Sequence, residues 1–419
     1  MSAPAASESL RAAMLAAHRA ALDAVGGRPA VARHLRALER AGRPSHAVAI
    51  GKAAADMMAG AIEALDGALQ GALVLTKHGH VAGLGPYADR VRVMESSHPV
   101  PDASCLRAGA ALWDFVADAP PDARVLVMVS GGASALVEHL APGLDAAFLA
   151  RVNDWLLSNA LSIGPMNRVR KRISRIKGGR LALALAGRPA LCLMISDVPG
   201  DDPKVIGSGP LVPHSSADID VSDLALPHWL SSVTAHPPAL APLEAFERVT
   251  AAVVARPALA KAAAAQALEQ AGVAVRVHDA LLEGDALETG REVVAMAAAD
   301  PARAHLWSSE TTVHLPPHPG RGGRCQSLAL SAAVVLRDRG AGVVLAAGTD
   351  GTDGPGEDAG AVVDAGTLAR GRTAGRDPLA DLAAADAGAF LDASGDLLRT
   401  GPTGTNVMDL VMAWCPRRP

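Results

Sequence analysis

The sequence predicts an α/β protein with a parallel sheet in its N-terminal domain and a second α/β domain in its C-terminal half. In the first half, short apolar runs alternate with helical patterns. Strands that alternate with helices favour a parallel sheet with right-handed crossovers. A length of 419 residues exceeds one ordinary domain and suits two. Half of the residues are hydrophobic, which is enough for two sizeable cores.

The predicted elements follow in order along the chain. Residues 8–41 predict one or two Ala-rich helices. The N-terminal sheet is predicted to contain strands at 47–50, 72–76, 91–94, 125–129 and 191–195, with a helix at 103–116. A Pro- and Ser-rich stretch at 208–243 predicts the connection between the domains. Beyond it, the patterns indicate strands at 248–254, 273–278 and 343–347, helices at 257–271 and 284–299, and half of a hairpin or an edge strand at 311–315.

Composition and missing motifs argue against several classes of protein. A net charge of −4 gives no support to bulk binding of nucleic acid or of anionic membranes, so we expect neither partner. The four cysteines have no CxxC spacing, and so few in a long chain favour a reducing compartment, so we expect the cytoplasm. We expect no secretory signal and no membrane span. The P-loop, GxGxxG, GxSxG and HExxH patterns are absent from the sequence.

Glycines and small polar residues follow several predicted strands, where ligands of parallel α/β folds collect. Gly51-Lys52 opens a helix, which suits a phosphate or a carboxylate. The loop at 130–135 has adjacent glycines that let the backbone approach an anion, and the loop at 95–102 has hydroxyls and a histidine that could contact a hydroxy acid. A tight turn with a helix cap accounts for each of these loops as well. The candidate residues of the two loops are Ser96, Ser97, His98, Ser130, Gly131, Gly132 and Ser134.

A basic segment at residues 168–180 is the strongest purely physical signal for an anionic ligand. It contains seven Lys or Arg residues and no acidic residue. Three apolar residues within it have helical spacing, which predicts a helix that ends at 177–179. Arg170 and Lys177 are its candidate substrate ligands. The alternative is a solvated basic face that is paired by carboxylates distant in sequence.

Asp197 directly follows the buried strand predicted at 191–195. A carboxylate in that place could hold Mg²⁺, which favours one or two carboxylates together with substrate phosphates. It could also accept a hydroxyl proton as a general base. An Asp-rich turn is the structural alternative.

Glycine-rich loops in the second domain form a rim that could close over a nucleotide. They lie at 320–324, 348–355 and 401–406. Arginine between glycines suits phosphate, because its guanidinium is planar and bidentate. The candidate residues of this domain are Glu310, Arg324, Asp350, Thr403 and Asn406, with Asp409 expected on a helix after the last loop.

In order along the chain, these motifs closely resemble the glycerate 2-kinase family, whose members have a C-terminal MOFRL domain. The likeness runs from about residue 8 to about residue 413. Any one motif is weak, but nine of them in the family's order are specific. The motifs lie at 49–53, 95–102, 130–136, 170–180, 196–210, 310–312, 322–324, 349–356 and 403–406.

The resemblance implies an enzyme that transfers a phosphoryl group from ATP, with Mg²⁺, to the 2-hydroxyl of D-glycerate and gives 2-phosphoglycerate. It implies a Rossmann-like domain at 1–240, a C-terminal α/β domain at 245–419 with the MOFRL region at about 305–413, and an active-site cleft between them. Lys52 and Arg324 match the lysine and the arginine that the family's motifs place in the active site. With Asp197, they are the expected catalytic residues.

The sequence departs from the family pattern near Arg324. Ser308-Ser309 stands in place of a glycine pair, Cys325 in place of an asparagine and Ser327 in place of an acid. A kinase for a different small sugar acid is therefore one alternative. Some relatives are named hydroxypyruvate reductases, which makes a reductase the second alternative, and a ligand-binding relative without turnover is the third. A homodimer is compatible with the sequence, which fixes no oligomeric state.

Overall fold

The structure is a computed structural model that describes residues 3–39, 42–65, 67–98, 100–159 and 161–416. The chain divides into two compact units. One consists of Gly26–Arg256, and the other of Met1–Val25 together with Pro257–Pro419. Pro99, which belongs to the candidate loop at 95–102, lies outside the described residues.

The helices and strands alternate along much of the chain. The strands are β1 (His46–Ile50), β2 (Gly71–Lys77), β3 (Arg92–Ser96), β4 (Val125–Val129), β5 (Ala190–Ile195), β6 (Val249–Ala255), β7 (Val275–Val277), β8 (Ala304–Ser309), β9 (Val343–Gly348), β10 (Gly360–Asp364), β11 (Leu397–Leu398) and β12 (Asp409–Trp414). The α-helices are α1 (Ala3–Val25), α2 (Gly27–Arg36), α3 (Ala54–Leu65), α4 (Ala103–Ala117), α5 (Ala133–Leu136), α6 (Ala146–Ser158), α7 (Ile163–Ile173), α8 (Leu181–Leu185), α9 (His228–Thr234), α10 (Pro257–Gln270), α11 (Ala286–Ala299), α12 (Arg324–Arg339), α13 (Thr367–Thr373), α14 (Pro378–Ala383) and α15 (Ala387–Ser394). Short 3-10 helices lie at Ala82–Arg90, Pro199–Asp201, Ile206–Ser208, Ala217–Ile219 and Leu243–Phe246.

The first unit is built on a six-stranded parallel sheet in the order β3-β2-β1-β4-β5-β6. This is the strand order of a doubly wound Rossmann sheet, so the predicted fold class is confirmed. The central strand β4 is buried at every position, as expected when crossover helices cover both faces of a parallel sheet. Asp102 caps α4, because its carboxylate accepts a hydrogen bond from the Ser104 N–H at 2.8 Å.

Two sequence predictions about the end of this unit are wrong. The strand at 248–254 is expected in the second domain, but β6 pairs in parallel with β5 and completes the first sheet. The stretch at 208–243 is expected to connect the domains, but it lies inside the Gly26–Arg256 unit and contains α9. The physical reason is that the chain needs a long connection before β6 can reach the sheet edge beside β5.

The second unit has a mixed six-stranded sheet in the order β11-β10-β9-β12-β8-β7. Only β7 and β8 pair in parallel, and the other pairs are antiparallel. The strand expected at 311–315 is wrong, because the strand is β8, which ends at Ser309. The sequence does not predict β8 as a buried strand because it contains polar residues, although all six of its residues are buried. This second α/β unit agrees with the predicted fold class.

The N-terminal helix α1 belongs to the second unit, which differs from the predicted domain at 1–240. Its buried side chains include Met14, Ala17 and Ala21. The Thr405 hydroxyl donates to the Val25 carbonyl at 2.7 Å. In the same helix, Arg11 pairs with two carboxylates of the same unit, those of Asp364 and Asp396. Among the described residues, no helix combines the length and the apolar character needed to cross a membrane.

Candidate functional site

Loops that follow four parallel strands bring the N-terminal candidates to one edge of the first sheet. The loop after β1 begins at Gly51, the loop after β3 at Ser97, the loop after β4 at Ser130 and the loop after β5 at Ser196. Because these strands are parallel, their carboxyl ends lie at the same edge. The sequence prediction of a shared strand-end cluster therefore has a direct structural basis.

Gly51 lets two of these loops approach each other closely. Its φ is +118°, and a Cβ there would lie 2.3 Å from the Ser130 Oγ and 2.6 Å from the Ser130 carbonyl oxygen. The Ser130 hydroxyl donates to the Ile50 carbonyl at 3.2 Å and accepts from the Ala53 N–H at 3.1 Å. The Lys52 N–H donates to the Gly131 carbonyl at 2.9 Å. The Gly51-Lys52 turn and the glycine loop are therefore bound together.

Lys52 and His98 both lie against Gly132. The φ of Gly132 is +83°, and a Cβ built there would lie 3.1 Å from the His98 ring and 3.4 Å from the Lys52 Cγ. The Ser134 hydroxyl lies 2.9 Å from the hydroxyl of Ser208 on a neighbouring loop. The structure therefore brings together a lysine, a histidine and a partly exposed glycine without a side chain, which suits an anionic ligand.

Three candidate hydroxyls are already bonded inside the protein. Ser96 is fully buried and donates to the Leu136 carbonyl at 2.8 Å. Ser130 is also fully buried and is held in the contacts described above. The Ser97 hydroxyl donates to the Asp102 carboxylate at 2.7 Å. These serines shape the loops, which is the structural alternative that the sequence left open.

The basic segment at 168–180 is held mostly by internal contacts. Its helix, α7, ends at Ile173 rather than at 177–179. The Arg170 guanidinium donates to the Asn153 side-chain oxygen at 3.2 Å. Arg180 is buried and donates to four backbone carbonyls, those of Lys171, Lys177, Pro238 and Ala239. Arg170 and Arg180 therefore bind groups within the protein, which the sequence alone could not show.

Lys177 forms a buried ion pair with Glu138. Each residue is 2% exposed, and the Lys177 ammonium also donates to the Val137 carbonyl at 3.1 Å. Burial lowers the pKa of the Lys177 ammonium, and the Glu138 carboxylate opposes that shift. The pair fixes the segment after α5 to the segment after α7. Lys177 thus has an internal partner in place of the substrate contact predicted for it.

Asp197 and Asp201 lie in the loop after β5. Asp197 is partly buried. Asp201 has a left-handed φ of +54°, and its Oδ1 is buried without a hydrogen-bond partner. A buried carboxylate oxygen without a donor suits a cation. Within the described ranges, no group of three or more His, Cys, Asp or Glu is arranged to hold a metal ion.

A second cluster lies at one edge of the sheet in the other unit. Asp409, the first residue of β12, stands opposite Ser309 at the end of β8 and Gly348 at the end of β9. The antiparallel pairing therefore brings the loops before β12 and after β8 and β9 to the same edge. The expectation that Asp409 lies on a helix is wrong, because Asp409–Trp414 forms strand β12, in which five of the six residues are buried.

Arg324, the first residue of α12, is held by two carboxylates. Its Nε and Nη2 donate to the two Asp409 oxygens at 2.6 and 3.1 Å. Its Nη1 and Nη2 donate to Glu310, the latter at 3.2 Å. Burial lowers the pKa of the guanidinium, but the two carboxylates more than offset this and raise it overall. Arg324 is therefore a fixed cation with one buried and one exposed partner.

Asp353, which the sequence did not single out, caps the helix that begins with Arg324. Its carboxylate accepts from the Cys325 N–H at 3.0 Å and from the Gln326 N–H at 2.7 Å. A Cβ on Gly323 would lie 2.3 Å from the same carboxylate, so glycine is needed for this approach. Burial, reinforced by Asp409, raises the pKa of Asp353 to about 7 despite the two N–H donors. The Gly-Asp pattern at 349–356 was the signal that could have identified it.

The remaining C-terminal candidates form the loops around Asp409. The Asp350 carboxylate accepts from the Thr352 N–H at 2.9 Å and from its hydroxyl at 3.0 Å. The Thr403 hydroxyl donates to the Thr349 carbonyl. Asn406 precedes Val407, whose N–H donates to the Thr349 hydroxyl at 2.8 Å. The loops at 349–356 and 403–408 are thus fastened to each other beside Asp409.

Comparison with known proteins identifies the family. A model described as a domain of unknown function (DUF4147) matches residues 13–235, and the MOFRL family model matches residues 303–409. A D-glycerate 2-kinase of Thermotoga maritima is 33% identical over 376 residues, which cover 87% of this chain and 89% of the relative. The chain belongs to the glycerate 2-kinase family. The MOFRL match confirms the predicted resemblance to this family.

A solved structure and a second relative extend the comparison. The crystal structure of a glycerate kinase from Thermotoga maritima has a TM-score of 0.82 at 31% identity, covering 97% of this chain and 100% of that one. A protein of Agrobacterium vitis with a provisional name as a hydroxypyruvate reductase is 36% identical over 379 residues, covering 87% of this chain and 85% of the relative. The structural match confirms the fold class.

The departures from the glycerate 2-kinase motif near Arg324 face the core. Cys325 is 2% exposed and Ser327 is 3% exposed. The Ser327 N–H donates to the Gly323 carbonyl at 3.0 Å, as the first turn of α12 requires. Ser308 and Ser309 end β8 and are also buried. These substitutions therefore alter the support of Arg324 rather than the exposed end of its guanidinium.

Proposed function

We propose that this chain is an ATP-dependent kinase that phosphorylates the 2-hydroxyl of D-glycerate and gives 2-phosphoglycerate. Membership of the glycerate 2-kinase family supports the reaction class. The observation that carries the proposal is the convergence of Lys52 and His98 on Gly132 at the carboxyl edge of the first sheet. Phosphoryl transfer depends on positioning and on electrostatic stabilisation, and this arrangement offers both.

In the first unit, we assign the anionic groups of the reactants to Lys52 and the glycine loop. The Lys52 ammonium neutralises charge on the transferring phosphoryl group or on the substrate carboxylate. The backbone at Gly131 and Gly132 approaches the same anion closely, because no side chain intervenes. His98, which lies beside the same glycine as Lys52, contacts the hydroxy acid. Ser134 is the hydroxyl of this loop that we keep as a substrate donor.

In the second unit, we assign the binding of anionic oxygens to Arg324. Its buried pairing with Asp409 fixes the direction of the guanidinium, which suits bidentate recognition of a phosphate or a carboxylate. Asp350, Thr403 and Asn406 form the loops around it and are proposed to contact nucleotide or substrate. Asp350 is one candidate for the base that accepts the proton of the 2-hydroxyl, and Asp197 is the other.

Mg²⁺ is proposed to bind at the loop after β5. Asp197 and Asp201 would hold it together with nucleotide phosphates, because Mg²⁺ commonly binds through one or two carboxylates plus phosphate oxygens. The unpartnered Asp201 oxygen fits this role. When bound, the ion neutralises phosphate charge. We also propose a cytoplasmic location, which is supported by the four free, buried cysteines.

The test is phosphoryl transfer from ATP and Mg²⁺ to D-glycerate, followed by ³¹P NMR of the product. A 2-phosphoglycerate signal is the expected result and establishes the position of transfer. Folded protein that forms no product from D-glycerate contradicts the proposal, and a panel of small sugar acids then tests the kinase with another substrate. Because a relative has a reductase name, oxidation of NADH with hydroxypyruvate is measured in parallel, and we expect none.

A further inference from the structure

The two carboxylates that hold Arg324 differ in exposure and in geometry. The Asp409 side chain is 6% exposed and binds the Nε/Nη2 side of the guanidinium through both oxygens. The Glu310 side chain is 44% exposed and binds the Nη1/Nη2 end. Asp409 is therefore the buried partner on the Nε/Nη2 side of the guanidinium, and Glu310 is the exposed partner at its Nη1/Nη2 tip.

Asp409 is the fixed partner of Arg324. It is the first residue of β12 and pairs through the backbone register with both neighbouring strands. The first turn of α12 is held separately by Asp353 through the N–H groups of Cys325 and Gln326. Removing Asp409 from this place would leave a half-buried guanidinium without its main counter-charge. The position and direction of Arg324 thus do not depend on Glu310.

Glu310, in contrast, holds Arg324 with a side chain that is nearly half exposed. Its backbone is fixed, because its N–H donates to the Leu282 carbonyl at 2.8 Å. Its side chain is long and half in solvent, so it can change rotamer while the backbone stays in place. Exposed ion pairs are weak, so a ligand anion can compete for the guanidinium.

We propose that Glu310 is an internal competitor that occupies the tip of the Arg324 guanidinium until an anionic oxygen of a reactant displaces it. The class of ligand is a carboxylate or a phosphoryl group, which present the same pair of oxygens to the fork. That these groups belong to glycerate and ATP rests on the proposed function. Glu310 then lowers the affinity for its ligand, in contrast to the ligand-binding role that the sequence predicts for it.

The size of this effect follows from the strength of an exposed ion pair. An ion pair of that kind favours the state in which Glu310 binds Arg324 over the state in which it does not by a factor of about 1.4 to 5. The apparent dissociation constant of a competing ligand is the intrinsic constant multiplied by one plus that factor. Glu310 therefore weakens binding about two- to sixfold. Removing the charge should recover that factor for the reactant whose oxygens bind Arg324 and should leave the other reactant unchanged.

The experiment compares wild type with Glu310→Gln by titration calorimetry, using D-glycerate, ATP and inorganic phosphate separately, together with steady-state kinetics. The expected result is a dissociation constant about two- to sixfold lower for one reactant and for phosphate, with a matching fall in KM and little change in kcat. A tighter glycerate constant identifies the carboxylate as the ligand, and a tighter ATP constant identifies a phosphoryl group. Glu310→Ala, which also removes the side-chain oxygens, should give the same direction.

Asp392→Asn is the matched control. Asp392 is an arginine-paired carboxylate of the same unit with 42% exposure, close to that of Glu310, and it pairs with Arg321 and Arg399. Its substitution should leave all three constants unchanged. Unchanged or weaker binding in Glu310→Gln overturns the proposal, even when wild type phosphorylates glycerate. Tighter phosphate binding in Glu310→Gln, with no turnover of glycerate by wild type, upholds it while the proposed function fails.

Discussion

The buried pair of Lys177 and Glu138 allows a stringent test of whether the basic segment supports the fold or binds substrate. Lys177→Met removes the cation but keeps the length of the side chain. It leaves a carboxylate that is 2% exposed without its partner, which is expected to destabilise the protein by about 3–5 kcal/mol. Glu138→Met leaves a buried ammonium without its partner and is expected to destabilise the protein by a similar amount.

The double variant separates a lost charge partner from lost packing. Replacing both residues by methionine removes both charges, so its unfolding free energy should fall within about 2 kcal/mol of wild type. The residual loss comes from the Val137 carbonyl and the His139 N–H, which lose hydrogen-bond partners. The coupling free energy between the two sites should therefore be at least about 4 kcal/mol.

Hydrogen exchange of amides in β4 and β5 is the assay, because the two units need not unfold together. Lys204→Met is the control. Lys204 pairs with Asp218 at the surface, with side-chain exposures of 41% and 24%, so its loss should have an effect of about 1 kcal/mol or less. Lys177→Met with stability close to wild type and a raised KM for glycerate would refute this reasoning and restore the substrate contact.

Three further predictions concern single positions. Lys52→Met should lower kcat by about 100-fold or more without changing the far-UV circular dichroism spectrum. Lys52→Arg should recover part of the loss. Near-native turnover in Lys52→Met would remove this residue from the mechanism. Gly132→Ala should destabilise the fold by about 1–2 kcal/mol, because its φ is +83° and its Cβ would lie 3.1 Å from the His98 ring; unchanged stability and KM would contradict the packing described here. Burial, aided by Arg19, lowers the pKa of His18 to about 4 from 6.5, so the neutral ring stabilises the fold above pH 6.5 and this contribution is lost as the pH falls towards 4. Unfolding followed by circular dichroism at several pH values should show His18→Leu gaining up to about 3 kcal/mol over wild type across that window, whereas a difference independent of pH would contradict the shift.

The sequence was most informative where hydrophobic pattern and environment agree. Strand β4 is an uninterrupted apolar run that is buried throughout, and its predicted bounds at 125–129 are those of the structure. Strand β8 was missed because AHLWSS contains His305 and two serines, which do not read as apolar although they are buried. Strand β6 is recognisable as a strand but not as a member of the first sheet, since sheet membership depends on contacts that are distant in sequence.

The candidate site divides in the same way. The turn at Gly51 and the loop at Gly132 could be predicted because a glycine directly after a strand commonly marks a tight turn or a close approach of two backbones. The ion pair of Lys177 could not be predicted, because its partner Glu138 is 39 residues away and nothing in the neighbouring sequence indicates the pairing. The role of Asp353 cannot be predicted from its own segment, because an aspartate in a Gly- and Asp-rich loop is typical of a turn. In the structure it caps a helix whose second residue, Cys325, lies 28 residues earlier in the chain.

The placement of α1 has a consequence for the order in which the protein is made. The helix is synthesised first, yet its buried face and the Thr405 contact belong to the unit formed by the last part of the chain. On the ribosome, the unit at Gly26–Arg256 is contiguous and can fold while the first helix still lacks its packing partners. The nascent chain must keep this helix accessible until residue 405 has emerged.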